Sequence, residues 1–282
     1  MKVIRKAKEI QDIATQFKKQ NKSIGFVPTM GYLHEGHISL IKAARENDIV
    51  IASIFVNPLQ FGPNEDYEAY PRDEERDIAK AKEAGVDYLF VPEVTDMYPN
   101  EPMVSMKITD RVDVLCGRSR PGHFDGVITV LTKLFHLVQP DRTYFGKKDA
   151  QQVAVVDALI TELNFPVELV SVPTVREEDG LAKSSRNVRL TKEERANAVH
   201  LYQALREGNK LVVNGEKDPS VVISKVKHHI EHHSSGEIDY VEVLSYPALK
   251  YIQTIKGRVI LAVAVQFKNA RLIDNLIIEA EG

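Results

Sequence analysis

The 282-residue chain is 43% hydrophobic and 27% charged, a balance that suits a folded enzyme with a large domain and a small one, and that makes disorder or fibrous structure poor readings. A formal net charge of -3 gives no positive field for a phosphate backbone, and no basic stripe is interleaved with aromatics, so nucleic acid is not an expected partner. The longest apolar runs, such as 259–265, are far below the roughly 20 residues of a membrane span. Residues 1–9 lack an apolar signal core and Cys116 is the single cysteine, so a cytoplasmic protein with no membrane partner is expected.

The first half alternates β-rich runs with helical patterns. Residues 23–27 read as a strand, 37–46 as a helix, 49–56 as a nearly all-apolar strand, 72–84 as a helix stopped by Gly85, and 88–91 as a third strand. A helix at 127–138, a strand at 143–145, a helix at 150–163 and a strand at 167–172 continue the pattern. Apolar strands separated by helices predict a doubly wound parallel α/β sheet, Rossmann-like, over residues 1–176. Beyond a polar loop ending at Asn187, helices at 192–212 and 220–232 and strands at 238–244, 258–267 and 272–278 predict a smaller α+β domain, 177–282.

Ligands of such sheets bind beyond the carboxyl ends of the strands, so the loops there carry the chemistry. After the first strand, Met30, Gly31, His34, Gly36 and His37 lead into a helix. Glycines permit close backbone approach, the helix start attracts phosphate, and two imidazoles three apart can donate to phosphate oxygens. The spacing excludes a Walker A loop, which needs Lys then Ser or Thr, and a zinc-protease helix, which needs histidines four apart. The plainer alternative is that the two histidines only cap a helix.

After the second strand, Gln60 offers a neutral donor for a carboxylate that must stay nucleophilic, while Met30, Phe55 and Phe61 offer an apolar wall; ordinary loop packing is the alternative. After residue 145, Gly146 allows close approach, Lys148 can neutralise phosphate and Asp149 can accept from ribose hydroxyls, with Gln152 one turn on. A loop at 176–187 holds Lys183, Ser184, Ser185 and Arg186, suited to closing over a triphosphate or to a common surface turn. His228, His229, His232 and His233 form two i,i+4 pairs and read as a polar helix face, with zinc chelation as the alternative.

In order along the chain, PTMGYLHEGH, SIFVNPLQFG, YPRD, SRPGHFDG, LFHLVQPD, FGKKDAQQ, LAKSSRN and the closing ARLIDN resemble the pantoate–β-alanine ligase (pantothenate synthetase) family across essentially the whole chain. The HxGH element alone is shared with other nucleotidyltransferases. The resemblance implies that ATP and pantoate form pantoyl-adenylate and pyrophosphate, that β-alanine then displaces AMP, and that Mg²⁺ and a homodimer are involved. It also implies that residues 177–282 act as a lid and dimer domain.

By position, the resemblance implies that His34, His37, Lys148 and Arg186 act on the phosphates, with His37 the catalytic acid. Met30, Gly31, Gly36, Gly146, Asp149, Val175, Lys183, Ser184 and Ser185 complete the ATP site. Gln60 and Gln152, with Met30, Phe55 and Phe61, hold pantoate, and Asp77 is a Mg²⁺ ligand. Tyr32 and Lys183 depart from the expected small and apolar residues. The rivals are an adenylyltransferase that passes AMP to a phosphorylated acceptor through the same HxGH site, and a nucleotide-binding regulator without turnover.

Overall fold

A computed structural model describes residues 1–63 and 67–281. In chain order the elements are β1 (Lys2–Ile4), α1 (Ala7–Lys19), β2 (Ile24–Thr29), α2 (Glu35–Ala44), β3 (Ile49–Ile54), α3 (Glu74–Ala84), β4 (Tyr88–Phe90), α4 (Val94–Met97), α5 (Leu115–Ser119), α6 (His123–Val138), β5 (Arg142–Gly146), α7 (Ala150–Glu162) and β6 (Glu168–Val172). They are followed by α8 (Lys192–Val213), α9 (Pro219–His233), β7 (Glu237–Ser245), β8 (Gly257–Gln266) and β9 (Arg271–Ala280). The chain forms two compact units: Met1–Thr109, Arg120–Lys147 and Val155–Pro173 in one; Asp110–Ser119, Lys148–Ala154 and Thr174–Gly282 in the other.

The first unit is the expected Rossmann-like layer. Its sheet is parallel at every pairing, in the order β1-β4-β3-β2-β5-β6. Residues 50–53 in the middle of β3 are all buried because helices cover both faces. Ile41 and Ala44 of α2 and Ala81 and Ala84 of α3 pack with Val27, Ala52 and Leu89 of the strands, and α1 packs against α6. The order in which strands are added reverses between β2 and β5, so the crevice at their carboxyl ends is the topological switch point where α/β sheets bind ligands.

Three local features differ from the sequence expectation. The opening β1 and α1 were not anticipated, although Ile10 and Ala14 are fully buried at the i,i+4 spacing of a packed helix face. Helix α2 starts at Glu35 rather than 37, because His34 caps it. Helix α6 starts at His123 rather than 127, because Gly122, at φ 80°, turns the chain in and Phe124 already belongs to the core.

The second unit holds the expected antiparallel sheet, in the order β7-β8-β9. The apolar run 259–265 is its central strand, buried on both faces. Val259, Leu261, Val263 and Val265 face the core made with α8 and α9, while Ile260, Ala262 and Ala264 face Val114, Leu115, Ala150 and Ala154. Segments 110–119 and 148–154 thus cover the second face, tied together by Gln151, whose Nε2 donates to the carbonyls of Arg111 and Val114 at 2.8 Å each.

Most of the α9 histidines form the expected polar face, with His228, His232 and His233 exposed, while His200 of α8 and His229 of α9 are half-buried against one another. His200 Nδ1 lies 3.3 Å from His229 Nε2, His200 stacks on His233 at 5.0 Å, and His229 Nδ1 lies 3.2 Å from Glu207, itself paired with Lys225. Burial, then the neighbouring imidazoles, hold His200 below the ordinary imidazole range; burial does the same to His229 against the pull of Glu207. A depressed base favours its neutral form in the fold, so this stability is present above the unfolded value of ~6.5 and is lost as pH falls through the folded values. The melting temperature should therefore drop more steeply below pH ~6.5 in the wild type than in His200→Phe. Parallel pH profiles would show that the cluster does not titrate with unfolding.

Candidate active site

At the carboxyl end of β2, Gly31 and Tyr32 both adopt left-handed backbone, φ 85° and 51°, and turn the chain into α2. His34 Nδ1 accepts the N–H of Gly36 at 3.1 Å, and His37 Nδ1 accepts the N–H of His34 at 3.3 Å. The histidines therefore do cap the helix, through Nδ1. A neutral ring that accepts at Nδ1 carries its proton on Nε2, so capping fixes each ring as an Nε2–H donor. The rings lie 4.0 Å apart, and a Cβ on Gly36 would sit 2.8 Å from the His34 ring, which is why glycine separates them.

Asp77, expected as a Mg²⁺ ligand, does not fit that role. It is 1% exposed, and its two oxygens accept the backbone N–H groups of Tyr32 and Leu33, each at 2.6 Å. Buried behind the turn and engaged at both oxygens, the carboxylate offers a cation little access. Burial pushes the carboxyl above the usual range while the two N–H donors pull it back. Arg76 and Lys80 bond the Leu33 carbonyl, both at 3.1 Å, and the Arg76 guanidinium lies 4.6 Å over the Tyr32 ring, so α3 clamps the turn that presents the histidines. Among the described residues no group of three His, Cys, Asp or Glu side chains could hold a metal ion.

Gln60 ends a short 3-10 turn after β3 and is 7% exposed. Its Oε1 accepts from the fully buried Asn57, whose Nδ2 also reaches the Gly126 carbonyl, and this leaves the Gln60 NH₂ as the donor end. Tyr98, its hydroxyl pushed well up by burial, donates to Asn57 Oδ1 at 3.0 Å. His123 Nδ1 donates to the Gln60 carbonyl at 2.8 Å and Nε2 faces Arg120 at 3.0 Å. Asn57, Arg120 and His123 carried no role in the sequence reading; the stretches NPLQFG and SRPGHFDG that contain them were the available signal. Phe55 is buried beside Tyr98, while Phe61 is half-buried against Tyr67 and Tyr70.

A Cβ on Gly126 would lie 2.1 Å from the Leu59 carbonyl oxygen and 2.8 Å from the Gln60 nitrogen. Gly126→Ala should therefore cost about 1–3 kcal/mol of stability and displace Gln60. Urea denaturation and the KM for the acid substrate check this, and a variant unchanged in both would contradict the packing.

In the second unit Lys148 and Ser184 line one small cavity of about 10 Å³ with Asn187 and Asp274. The Lys148 ammonium is 3.8 Å from the half-exposed Asp149. Ser184 caps the turn Ser185–Arg189 by accepting the Arg186 N–H at 3.2 Å. Lys183 reaches Glu177 at 2.7 Å, a partner that any phosphate must compete with, and its N–H bonds the Val175 carbonyl. Gln152 is half-buried in the first turn of α7. The structure thus groups His34, His37 and Asp77 in one unit and Lys148 with the Ser184 loop in the other.

A parallel sheet with a histidine-capped helix at its switch point defines a nucleotide-binding α/β protein of the HxGH type. The family model for Pantoate-beta-alanine ligase matches residues 2–277. Pantothenate synthetase of Geobacillus sp. (strain WCH70) is 61% identical over 280 residues, 99% of each chain, and that of Bacillus subtilis (strain 168) is 61% identical over 99% of this chain and 98% of its own. The crystal structure of pantothenate synthetase from Thermus thermophilus superposes with a TM-score of 0.92 at 44% identity, covering 98% of this chain and 99% of the other. A pantoate–β-alanine ligase from Francisella tularensis, complexed with beta-gamma ATP and β-alanine, gives 0.79 at 35% identity over 98% and 97%. The chain belongs to the pantoate–β-alanine ligase family and is an ATP-dependent ligase.

Proposed function

We propose that the chain condenses pantoate with β-alanine to pantothenate in two steps, through pantoyl-adenylate, releasing pyrophosphate and then AMP. The observation that carries this reading is the pair His34 and His37, each held as an Nε2–H donor at the start of α2. In the first step the pantoate carboxylate attacks the α-phosphorus in line and pyrophosphate leaves. The two Nε2–H groups, with Lys148 and Arg186, meet the negative charge that builds on the phosphate oxygens. Gln60, its oxygen engaged by Asn57, offers NH₂ to pantoate together with Gln152; these neutral donors hold the carboxylate without quenching it.

Asp149 and Gly146 serve the ribose, and Ser184 and Ser185 the phosphates. ATP would enter as its magnesium complex. In the second step the β-alanine amine attacks the acyl carbon and AMP leaves. The amine must be neutral, against an ordinary pKa near ~10, so desolvation or a local base assists. The protein works as a cytosolic homodimer in this reading.

Incubation with magnesium, ATP and pantoate, with and without β-alanine, tests the reaction. Pyrophosphate release should require pantoate, and AMP with an amide should appear only with β-alanine. AMP retained on a phosphorylated acceptor would instead mark an adenylyltransferase. A Cβ on Gly146 meets nothing within 4 Å, so Gly146→Ala should leave stability within about 0.5 kcal/mol of the wild type. It should nevertheless raise the KM for ATP, and an unchanged KM would remove Gly146 from the nucleotide site.

A further inference from the structure

Near the end of the chain two adjacent polar residues interrupt an apolar strand. In β9, Asp274 is 4% exposed and Asn275 is 8% exposed. Their neighbours alternate as strand geometry requires: Leu272 and Leu276 pack in the core that contains Leu181, while Ile273 and Ile277 pack in the one that contains Ala150 and Ala154. Asp274 and Asn275 thus address two different segments from one rigid strand.

Asn275 Nδ2 donates to the backbone carbonyl of Lys148 at 2.8 Å. Asp274 receives a two-pronged bond from Arg176, Nη1 to Oδ2 at 2.6 Å and Nη2 to Oδ1 at 3.0 Å, and its Oδ1 also accepts the Asn275 N–H at 2.8 Å. Arg176 lies 3.6 Å over the Tyr202 ring and bonds the Gly180 carbonyl. It bridges to Ala182, and the Lys183 N–H bonds the Val175 carbonyl, closing the base of the loop that carries Ser184, Ser185 and Arg186.

Burying a carboxylate and an amide where the strand otherwise carries leucine and isoleucine is unfavourable unless they are paired, and here each is paired with a different segment. A bidentate guanidinium–carboxylate pair fixes direction as well as distance. We infer that Asn275 and Asp274 are positioning residues for adenylation: Asn275 holds Lys148, and Asp274, through Arg176, holds the 183–186 loop. This rests on the proposed roles of Lys148 and that loop at the phosphates.

A double-mutant cycle tests it. Asn275→Ala should lower kcat for pantoate-dependent pyrophosphate release by on the order of 10- to 100-fold, the scale of a small displacement of a catalytic group. The same substitution in a Lys148→Ala background should cause no further loss, because its effect passes through Lys148. Asp274→Asn should behave likewise against Arg186→Ala, with Asn275→Ser and Asp274→Glu as milder variants should either first choice fail to fold by circular dichroism. Equal losses in both backgrounds overturn the positioning role and leave the phosphate roles standing. Wild-type rates for Lys148→Ala and Arg186→Ala overturn the phosphate roles themselves, and this inference with them.

Discussion

His37→Ala should lower the rate of pantoate-dependent pyrophosphate release by on the order of 10²- to 10³-fold, the effect of losing one preorganised donor to a transition-state oxyanion. In the proposed mechanism the ring does two jobs, and alanine removes both. It deletes the Nε2–H donor, and it deletes the Nδ1 acceptor that satisfies the His34 N–H at the helix start. Loss of the cap alone costs about 1 kcal/mol of stability.

Glutamine at the same position separates the two jobs, because a Gln three residues after the cap can still reach back to the cap N–H. His37→Gln should therefore recover the stability lost in the alanine variant and remain slow. Denaturant titration beside single-turnover pyrophosphate release distinguishes the outcomes. If glutamine restores the rate, the imidazole at 37 is a cap and nothing more, and the charge on phosphorus must be met elsewhere.

Much of this was legible in the chain. The alternation of apolar strands and helices predicted the parallel sheet because burial on both faces leaves a run such as Ile49–Ile54 without charged breaks. The helix start at His34 was readable as an anion site from the glycines and histidines. Whether the imidazoles cap the helix or act on a ligand was posed as a choice, and the geometry shows that the cap sets the tautomer.

What was not legible were bonds between residues distant in sequence. Nothing local to Asn57 announces that it orients Gln60 and anchors to Gly126, since the partner carbonyl lies 69 positions away. Nothing local to Asn275 announces Lys148, 127 positions earlier. Lys183, placed among the phosphate ligands, bonds Glu177, a pairing that depends on how the loop folds back. Asp77 took its metal role from its position in the family resemblance, and its burial and two backbone donors, neither of them local to the sequence, point to a different task.

Asp77→Ala should therefore be a severe substitution for a reason unconnected with magnesium. It strands the N–H groups of Tyr32 and Leu33, and an unsatisfied buried donor costs about 1–3 kcal/mol, so a loss on the order of 3 kcal/mol is expected. The turn they belong to holds left-handed backbone at both Gly31 and Tyr32, a conformation that a non-glycine residue at 32 keeps only when its surroundings enforce it. Released, the turn should carry His34 and His37 away from the phosphate, and kcat should fall by roughly 10²-fold, the usual consequence of a displacement near 1 Å.

Asp77→Asn sharpens the distinction. The amide keeps one acceptor but turns an NH₂ toward the second N–H, so stability and kcat should both fall, while the apparent affinity for magnesium stays unchanged. A metal ligand would give the reverse: a higher magnesium requirement, no loss of stability, and rescue of the rate at saturating magnesium. Denaturant titration and a magnesium titration of pyrophosphate release on the same variant decide between the clamp and the ligand.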